Sequence, residues 1–91
     1  MNTTKHAAVR MQQRGIPPLI LEWLLEYGAT TYDGHGGRIR YFDKQAKQRI
    51  RHSKGEIVLR RLHELFDSYA VVSNDGAVVT VGHRYKRAYR Q

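Results

Sequence analysis

The chain has 91 residues, no cysteine, and 16 Lys and Arg against 8 Asp and Glu, so its net charge is +8 and its isoelectric point is near 10.2. This length predicts one domain, residues 1–91, and a hydrophobic content of 41% argues against disorder. Without cysteine, disulfides and thiolate zinc sites are excluded. No signal-peptide pattern or long apolar run is present, so we expect a cytoplasmic protein without a membrane partner.

The first part of the chain predicts two helices that form a hairpin. Thr3 or Thr4 can cap a first helix that runs to about Arg14. A second helix begins at Pro17-Pro18, because proline is tolerated in a first helical turn, and it ends at Gly28. Its side chains are apolar nearly all round, so we expect it to be the best-buried element.

The middle of the chain predicts a loop, a strand and a basic helix. Residues 29–37 are rich in turn formers and predict a loop. The alternation in Arg38–Phe42 predicts a strand with arginines on one side and Tyr41 on the other. A helix over residues 44–54 follows, with Asp43 as its cap. The many Lys and Arg of this region form either a solvated face or a binding surface.

The last part of the chain predicts a further helix and a β-hairpin. An amphipathic pattern over residues 57–66 predicts the helix. A strand over 69–73, the turn Asn74-Asp75-Gly76 and a buried strand over 77–82 follow, before a basic tail over 86–91. The sequence therefore predicts an α+β fold, in which the N-terminal helical hairpin and a further helix pack on a small antiparallel sheet ending in a C-terminal β-hairpin.

The positive charge points to a polyanionic partner. Eleven of the sixteen basic residues are arginine, whose planar guanidinium can bind phosphate through two hydrogen bonds. Net charge also serves solubility, but a basic footprint favours nucleic acid. We expect RNA as the partner. The candidate nucleic-acid contacts are Arg14, Arg38, Arg40, Lys86 and Arg87.

Two groups of polar side chains could carry chemistry. His6 and Arg10 share one face of the first helix, and His83, Arg84 and Tyr85 follow the last strand. Cleavage of RNA without a metal needs a base, an acid and cations around the transition state, roles that suit histidine and arginine. Tyrosine can stack on an unpaired base. Strand alternation places the side chains of His83 and Tyr85 on one face and that of Arg84 on the other.

The other three histidines have no partner at metal-ligand spacing. His35 lies in a glycine-rich loop, and His63-Glu64 lacks the second histidine of a zinc protease motif. We therefore expect no metal and no cofactor.

Two stretches resemble a known family. His6–Ile16 resembles the opening His-Ala…Arg…Arg-Gly-Ile signature of a family of small bacterial domains, and Val78–Arg84 resembles its closing strand. That family is grouped with the RelE/ParE-like and BrnT-like toxins, which are metal-independent RNases. The resemblance implies helices packed on one antiparallel sheet, and an endoribonuclease that cleaves mRNA and is held in check by an acidic antitoxin.

The resemblance also implies roles for individual residues. His83 with Tyr85 is similar to the C-terminal histidine and tyrosine of the YoeB branch. RelE-like chains usually begin with a strand, whereas none is predicted here before the first helix. The positions that match the family's first-helix polar pair and final strand are His6, Arg10, Thr80 and Arg84.

We therefore predict a toxin-like, metal-independent endoribonuclease that acts on RNA. The alternatives are a non-catalytic nucleic-acid-binding protein and a module whose positive face binds an acidic protein. Cleavage as predicted requires His6 and His83 to meet in one cationic pocket. The predicted catalytic residues are His83, His6, Tyr85, Arg84 and Arg10, with Arg14 as a further phosphate clamp.

Overall fold

Helices and one antiparallel sheet make up residues 2–84, the part of the chain that the computed structural model describes. The strands lie in the order β1-β2-β3-β4, and each pairs antiparallel with the next. This arrangement confirms the predicted α+β fold. The elements are α1 (Lys5–Gln13), α2 (Pro18–Tyr27), β1 (Ala29–Tyr32), β2 (Arg38–Tyr41), α3 (Lys44–Lys54), α4 (Glu56–Arg61), a 3-10 helix (His63–Asp67), β3 (Ser68–Val72) and β4 (Val78–His83).

The helical hairpin of α1 and α2 follows from local signals. The Thr4 hydroxyl accepts a hydrogen bond from the backbone N–H of Ala7 at 3.1 Å, which satisfies one free donor of the first turn. Gly15 has a φ of 64°, a conformation that favours glycine and turns the chain after α1. Pro18 then occupies the first turn of α2.

The second helix fills the centre of a single hydrophobic core. Ile20 and Leu24 are fully buried, and α2 has more buried residues than any other described helix. It packs on β2 and β3, while α1 packs on β4. The sheet contributes to this core through the buried side chains of Ala70, Val72, Val78 and Val81.

The loop predicted over residues 29–37 is wrong in its first half, where β1 forms. Thr30 of β1 lies opposite Arg40 of β2. Most of β1 is exposed, so its sequence lacks the alternation of apolar and polar residues that predicts a strand. The strand is held instead by its pairing with β2. The turn that remains is organised by Asp33, whose carboxylate accepts hydrogen bonds from the backbone N–H groups of His35 and Gly37 at 2.7 and 2.9 Å.

Helix α3 begins and ends as predicted. The Asp43 carboxylate accepts a hydrogen bond from the backbone N–H of Ala46 at 2.8 Å. Gly55, with a φ of 100°, ends the helix and allows the chain to change direction before α4. Ala46 and Ile50 are the buried residues of α3, so most of its basic side chains face solvent.

The single helix predicted over residues 57–66 is wrong in its second half. Helix α4 ends at Arg61, and the 3-10 helix follows. Leu62, with φ −105° and ψ 12°, marks the change of geometry. The tighter helix brings Phe66 into the core, where its ring packs edge-on against Phe42 with 4.9 Å between centroids. Packing of this aromatic pair takes precedence over the helical periodicity.

The first residues of the described chain cover the outer edge of β4. Thr3 pairs in parallel with Val78, and the Thr4 backbone N–H donates to the Val78 carbonyl at 3.0 Å. Residues remote in sequence are thus neighbours in the sheet. No helix within residues 2–84 is long and apolar enough to cross a membrane.

Candidate nucleic-acid interface

The two faces of the sheet differ in burial. One face lies under the helices and carries the buried side chains of Ala70, Val72 and Val81. On the other face the strand register places Tyr41 beside Tyr69, and these side chains are only partly buried. We call this second face, formed by Ile39, Tyr41, Tyr69, Val71 and Thr80, the open face.

A glycine on β4 makes room for one of the two tyrosines. Gly82 pairs with Tyr69. A Cβ atom at Gly82 would lie 2.9 Å from the Tyr69 hydroxyl oxygen and 2.6 Å from an Arg14 guanidinium nitrogen, closer than real contacts allow. The Tyr69 ring therefore extends across β4, and its hydroxyl end approaches the Arg14 guanidinium. Arg14 also donates a hydrogen bond to the Val81 carbonyl at 3.5 Å.

The second tyrosine is covered by the second arginine. The guanidinium carbon of Arg84 lies 4.0 Å from the centroid of the Tyr41 ring, a cation–π contact. The backbone N–H of Arg84 donates to the Asp67 carbonyl at 2.6 Å, which fixes this residue where β4 ends. We call the set of Tyr41, Tyr69, Arg14 and Arg84 the aromatic–arginine site.

His83 is held by hydrogen bonds at both ring nitrogens. Its Nδ1 lies 2.8 Å from an Asp67 carboxylate oxygen, and its Nε2 lies 2.7 Å from the Arg14 carbonyl. Both partners are acceptors, so both contacts are satisfied together only by the protonated ring. The hydrogen bond to the Arg14 carbonyl, followed by that to Asp67, raises the pKa of His83. His83 thus tethers the end of α1 to the last residue of the 3-10 helix, and neither nitrogen is free to accept a proton from RNA.

His6 lies at the opposite end of α1 from His83. Its Nε2 is 3.5 Å from Nε of Arg10; His6 is exposed and Arg10 is partly buried. Thr4 bonds to the start of β4, whereas Arg14 bonds to its end and to His83. The eight residue-to-residue steps from His6 to Arg14 rise about 12 Å along the helix. The two imidazoles therefore do not meet in one pocket, contrary to our expectation, because a shared helix face does not bring its two ends together.

Arg40 is a structural residue in this fold rather than a free phosphate clamp. Its guanidinium donates to the carbonyls of Leu24 and Leu25 at 3.2 and 2.8 Å, and to the Thr30 hydroxyl at 2.7 Å. These bonds satisfy carbonyls at the end of α2. Burial, with a contribution from the charge of Arg38, lowers the pKa of Arg40, although an arginine remains protonated. Arg38 itself donates to a carbonyl after β3 at 3.3 Å.

Several site residues were not predicted from the sequence. The sequence predicts only strand positions for Tyr69 and Gly82, and only one side of its strand for Tyr41. The sequence shows one tyrosine in each of two separate strands, Tyr41 and Tyr69. Only the register of β2 with β3 shows that these two tyrosines are neighbours. Tyr85, Lys86 and Arg87, and the tail over 86–91, lie outside the described residues.

Comparison of the chain with protein-family models, with curated proteins and with solved structures finds no match in any of the three.

The His83 tether predicts a stability that falls as pH rises. The folded-state pKa lies above the unfolded value, so the stabilisation is complete below about pH 6.5 and is lost as pH rises through the folded-state pKa. We expect the free energy of unfolding to fall by about 1 kcal/mol between about pH 6 and pH 9 because of this residue. Urea unfolding across that range measures the fall.

Two matched variants test this role. In His83→Gln the free energy of unfolding should no longer decrease between about pH 6 and pH 9. In His52→Gln, on the exposed side of α3, the decrease should remain. An identical pH dependence in the His83→Gln variant and the original protein would contradict the role of the tether.

Proposed function

We propose that the protein binds single-stranded RNA on the open face, through the aromatic–arginine site. The observation that carries this proposal is the pairing of Tyr41 with Tyr69 on adjacent strands, with one arginine guanidinium close to each ring. Bases stack on aromatic rings and on guanidinium planes, and guanidinium groups bind phosphates. The net charge of +8 adds long-range attraction for a polyanion.

A single strand suits this site better than a duplex. Stacking on a side chain requires a base whose face is not covered by its own neighbours, and unpaired nucleotides provide such faces. Directly opposite residues in a sheet hold their Cβ atoms about 5 Å apart, so two tyrosines in register offer two adjacent stacking positions. The choice of RNA over DNA follows the resemblance to RNA-cleaving toxins, as does a cytoplasmic location.

Binding of a fluorescent RNA dodecamer at several salt concentrations tests the proposal. We expect the single strand to bind at least tenfold more tightly than the corresponding RNA duplex. The logarithm of the association constant should fall linearly with the logarithm of salt concentration, with a slope of about −0.7 for each phosphate contacted. Equal affinity for single strand and duplex would indicate a merely cationic surface and would contradict the proposal.

A toxin-like endoribonuclease is the second candidate. The observation in its favour is the His83–Asp67 hydrogen bond at the end of β4, beside Arg84, since a carboxylate can orient a catalytic imidazole. His83 would first have to release the Arg14 carbonyl. An acidic antitoxin that covers the basic surface belongs to this candidate. The third candidate, a module that only binds an acidic protein, would use the same surface without RNA.

Incubation of the bound RNA in EDTA separates these candidates. Cleavage that yields 2′,3′-cyclic phosphate ends, and that is lost in a folded His83→Gln variant, would support the endoribonuclease. Intact RNA in a tight complex would leave binding as the function. A protein that binds an acidic partner stoichiometrically but binds RNA no better than it binds heparin would support the third candidate.

A further inference from the structure

A cavity of about 500 Å³ lies beside the aromatic–arginine site, bordered by α3, α4 and the 3-10 helix. Its floor is apolar and is made of side chains that are more than nine-tenths buried: Phe42, Leu59 and Phe66. Its volume falls within the range of sites that bind small molecules, which are typically apolar clefts with a few polar groups. The cationic side chains that line it are Lys47, Arg60 and Arg84, and His63 contributes an imidazole.

The two carboxylates on the wall of this cavity already have cationic partners. An oxygen of Glu56 lies 2.6 Å from Nε of Arg51, and an oxygen of Asp67 lies 2.8 Å from Nδ1 of His83. Neither Arg51 nor His83 lines the cavity. The negative charge of the wall is therefore neutralised from outside, and the remaining lining is positive above an apolar floor. Such a site suits a ligand with a planar apolar part and an anionic group.

Arg84 connects this cavity with the open face. The same side chain covers the Tyr41 ring and contributes to the cavity wall. An RNA strand with a base stacked at the aromatic–arginine site would thus reach the cavity after passing only the guanidinium of Arg84. That guanidinium is suitably placed to bind the phosphate between the two positions.

We infer that the cavity binds one unstacked nucleotide of the RNA that lies on the open face. The base packs on the floor of Phe42, Leu59 and Phe66, and the phosphate lies towards Lys47 and Arg60. This inference rests on the proposed function and extends it by a nucleotide pocket. A free nucleoside 5′-monophosphate has the same chemistry, so it serves as a probe of the pocket alone.

Two adjacent arginines provide a matched test. Arg60 and Arg61 are both exposed on α4, but Arg60 lines the cavity and Arg61 does not. We expect Arg60→Glu to weaken the binding of adenosine or uridine 5′-monophosphate at least tenfold, and Arg61→Glu to weaken it less than threefold. Lys47→Glu, on α3, should reproduce the effect of Arg60→Glu from the other wall. Calorimetric titration measures the affinities, and circular dichroism verifies folding.

The probes also test the two halves of the pocket. Ribose 5-phosphate lacks the base and the nucleoside lacks the phosphate, so each should bind at least tenfold more weakly than the monophosphate. Equal losses in Arg60→Glu and Arg61→Glu would overturn the inference, because a diffuse field would then explain binding. Ribose 5-phosphate binding as tightly as the monophosphate would also overturn it, because the apolar floor would then play no part.

Failure of the pocket can be distinguished from failure of the RNA-binding face with Tyr69→Leu. Tyr69 is part of the open face but does not line the cavity. This variant should weaken the binding of the RNA dodecamer and leave the affinity for the nucleoside monophosphate unchanged. Dodecamer binding that depends on Tyr69 without any monophosphate binding overturns the pocket alone. Monophosphate binding without dodecamer binding overturns the proposed function and, with it, the assignment of the pocket to RNA.

Discussion

Replacement of both Tyr41 and Tyr69 by leucine is expected to weaken the binding of single-stranded RNA by about 100-fold. Each base stacked on an aromatic ring contributes about 1–3 kcal/mol, and about 1.4 kcal/mol corresponds to tenfold in affinity. Two stacking positions therefore give a combined loss of about two orders of magnitude. Leucine retains an apolar contact on the strand, so the loss reports the ring itself. Fluorescence anisotropy at fixed salt concentration measures it.

The control for this pair is Tyr32→Leu. Tyr32 is 74% exposed on β1, and its pairing with Arg38 places it on the opposite side of the sheet from Tyr41. Its replacement should change RNA affinity by less than twofold. If the double variant bound RNA as tightly as Tyr32→Leu, charge alone would account for binding, and the aromatic–arginine site would have no role in it.

The largest loss of stability from a single substitution outside the apolar core is expected for Arg40→Met. The guanidinium of Arg40 makes three hydrogen bonds, two of them to carbonyls at the end of α2. Hydrogen bonds to charged groups contribute about 1.5–3 kcal/mol each when buried, and partial exposure reduces that contribution. We expect the free energy of unfolding to fall by about 3 kcal/mol. Methionine keeps the apolar stem, so the loss measures the hydrogen bonds. Urea unfolding gives the value.

Arg38→Met is the matched variant on the same strand. Its side chain makes one hydrogen bond at 3.3 Å, so we expect a loss below about 1 kcal/mol. Similar losses of unfolding free energy in the two variants would show that the hydrogen bonds from Arg40 to α2 add no stability beyond that of a single side-chain hydrogen bond. Folded Arg40→Met should still bind RNA, because Arg40 lies outside the aromatic–arginine site.

Elements with a chemical signal at their ends could be predicted from the sequence. Thr4 and Asp43 cap helices, and Gly55 ends one. These signals can be read from the sequence because each hydrogen bond at a helix end joins residues three or four positions apart. Strand β1 could not be predicted in this way, since an exposed edge strand depends on its partner rather than on its own side chains. The end of α4 also depends on a distant residue, because Phe66 packs against Phe42.

The candidate site was predicted only in part for the same reason. The sequence predicts Arg14 and Arg84 as phosphate-binding residues, and the alternation around Tyr41 predicts its side of the strand. The pairing of Tyr41 with Tyr69 arises from the register of two strands that are separated in the chain by two α-helices and a 3-10 helix. For His6 and His83, by contrast, the sequence predicts a contact that the fold does not make. Their residue type suggested a shared pocket, whereas the direction of α1 along β4 keeps them apart.

The contact between α1 and β4 has a consequence for how the protein is made. The Thr4 hydroxyl donates to the Val79 carbonyl, 75 positions further along the chain. At about 5–20 residues per second, a ribosome needs roughly 4–15 s to synthesise that interval, and the exit tunnel delays the meeting further. The apolar side of the first helix therefore stays without its β4 contacts until β4 has left the exit tunnel. Arg14 reaches Gly82 only then, so the proposed RNA-binding site cannot form before β4 has been synthesised.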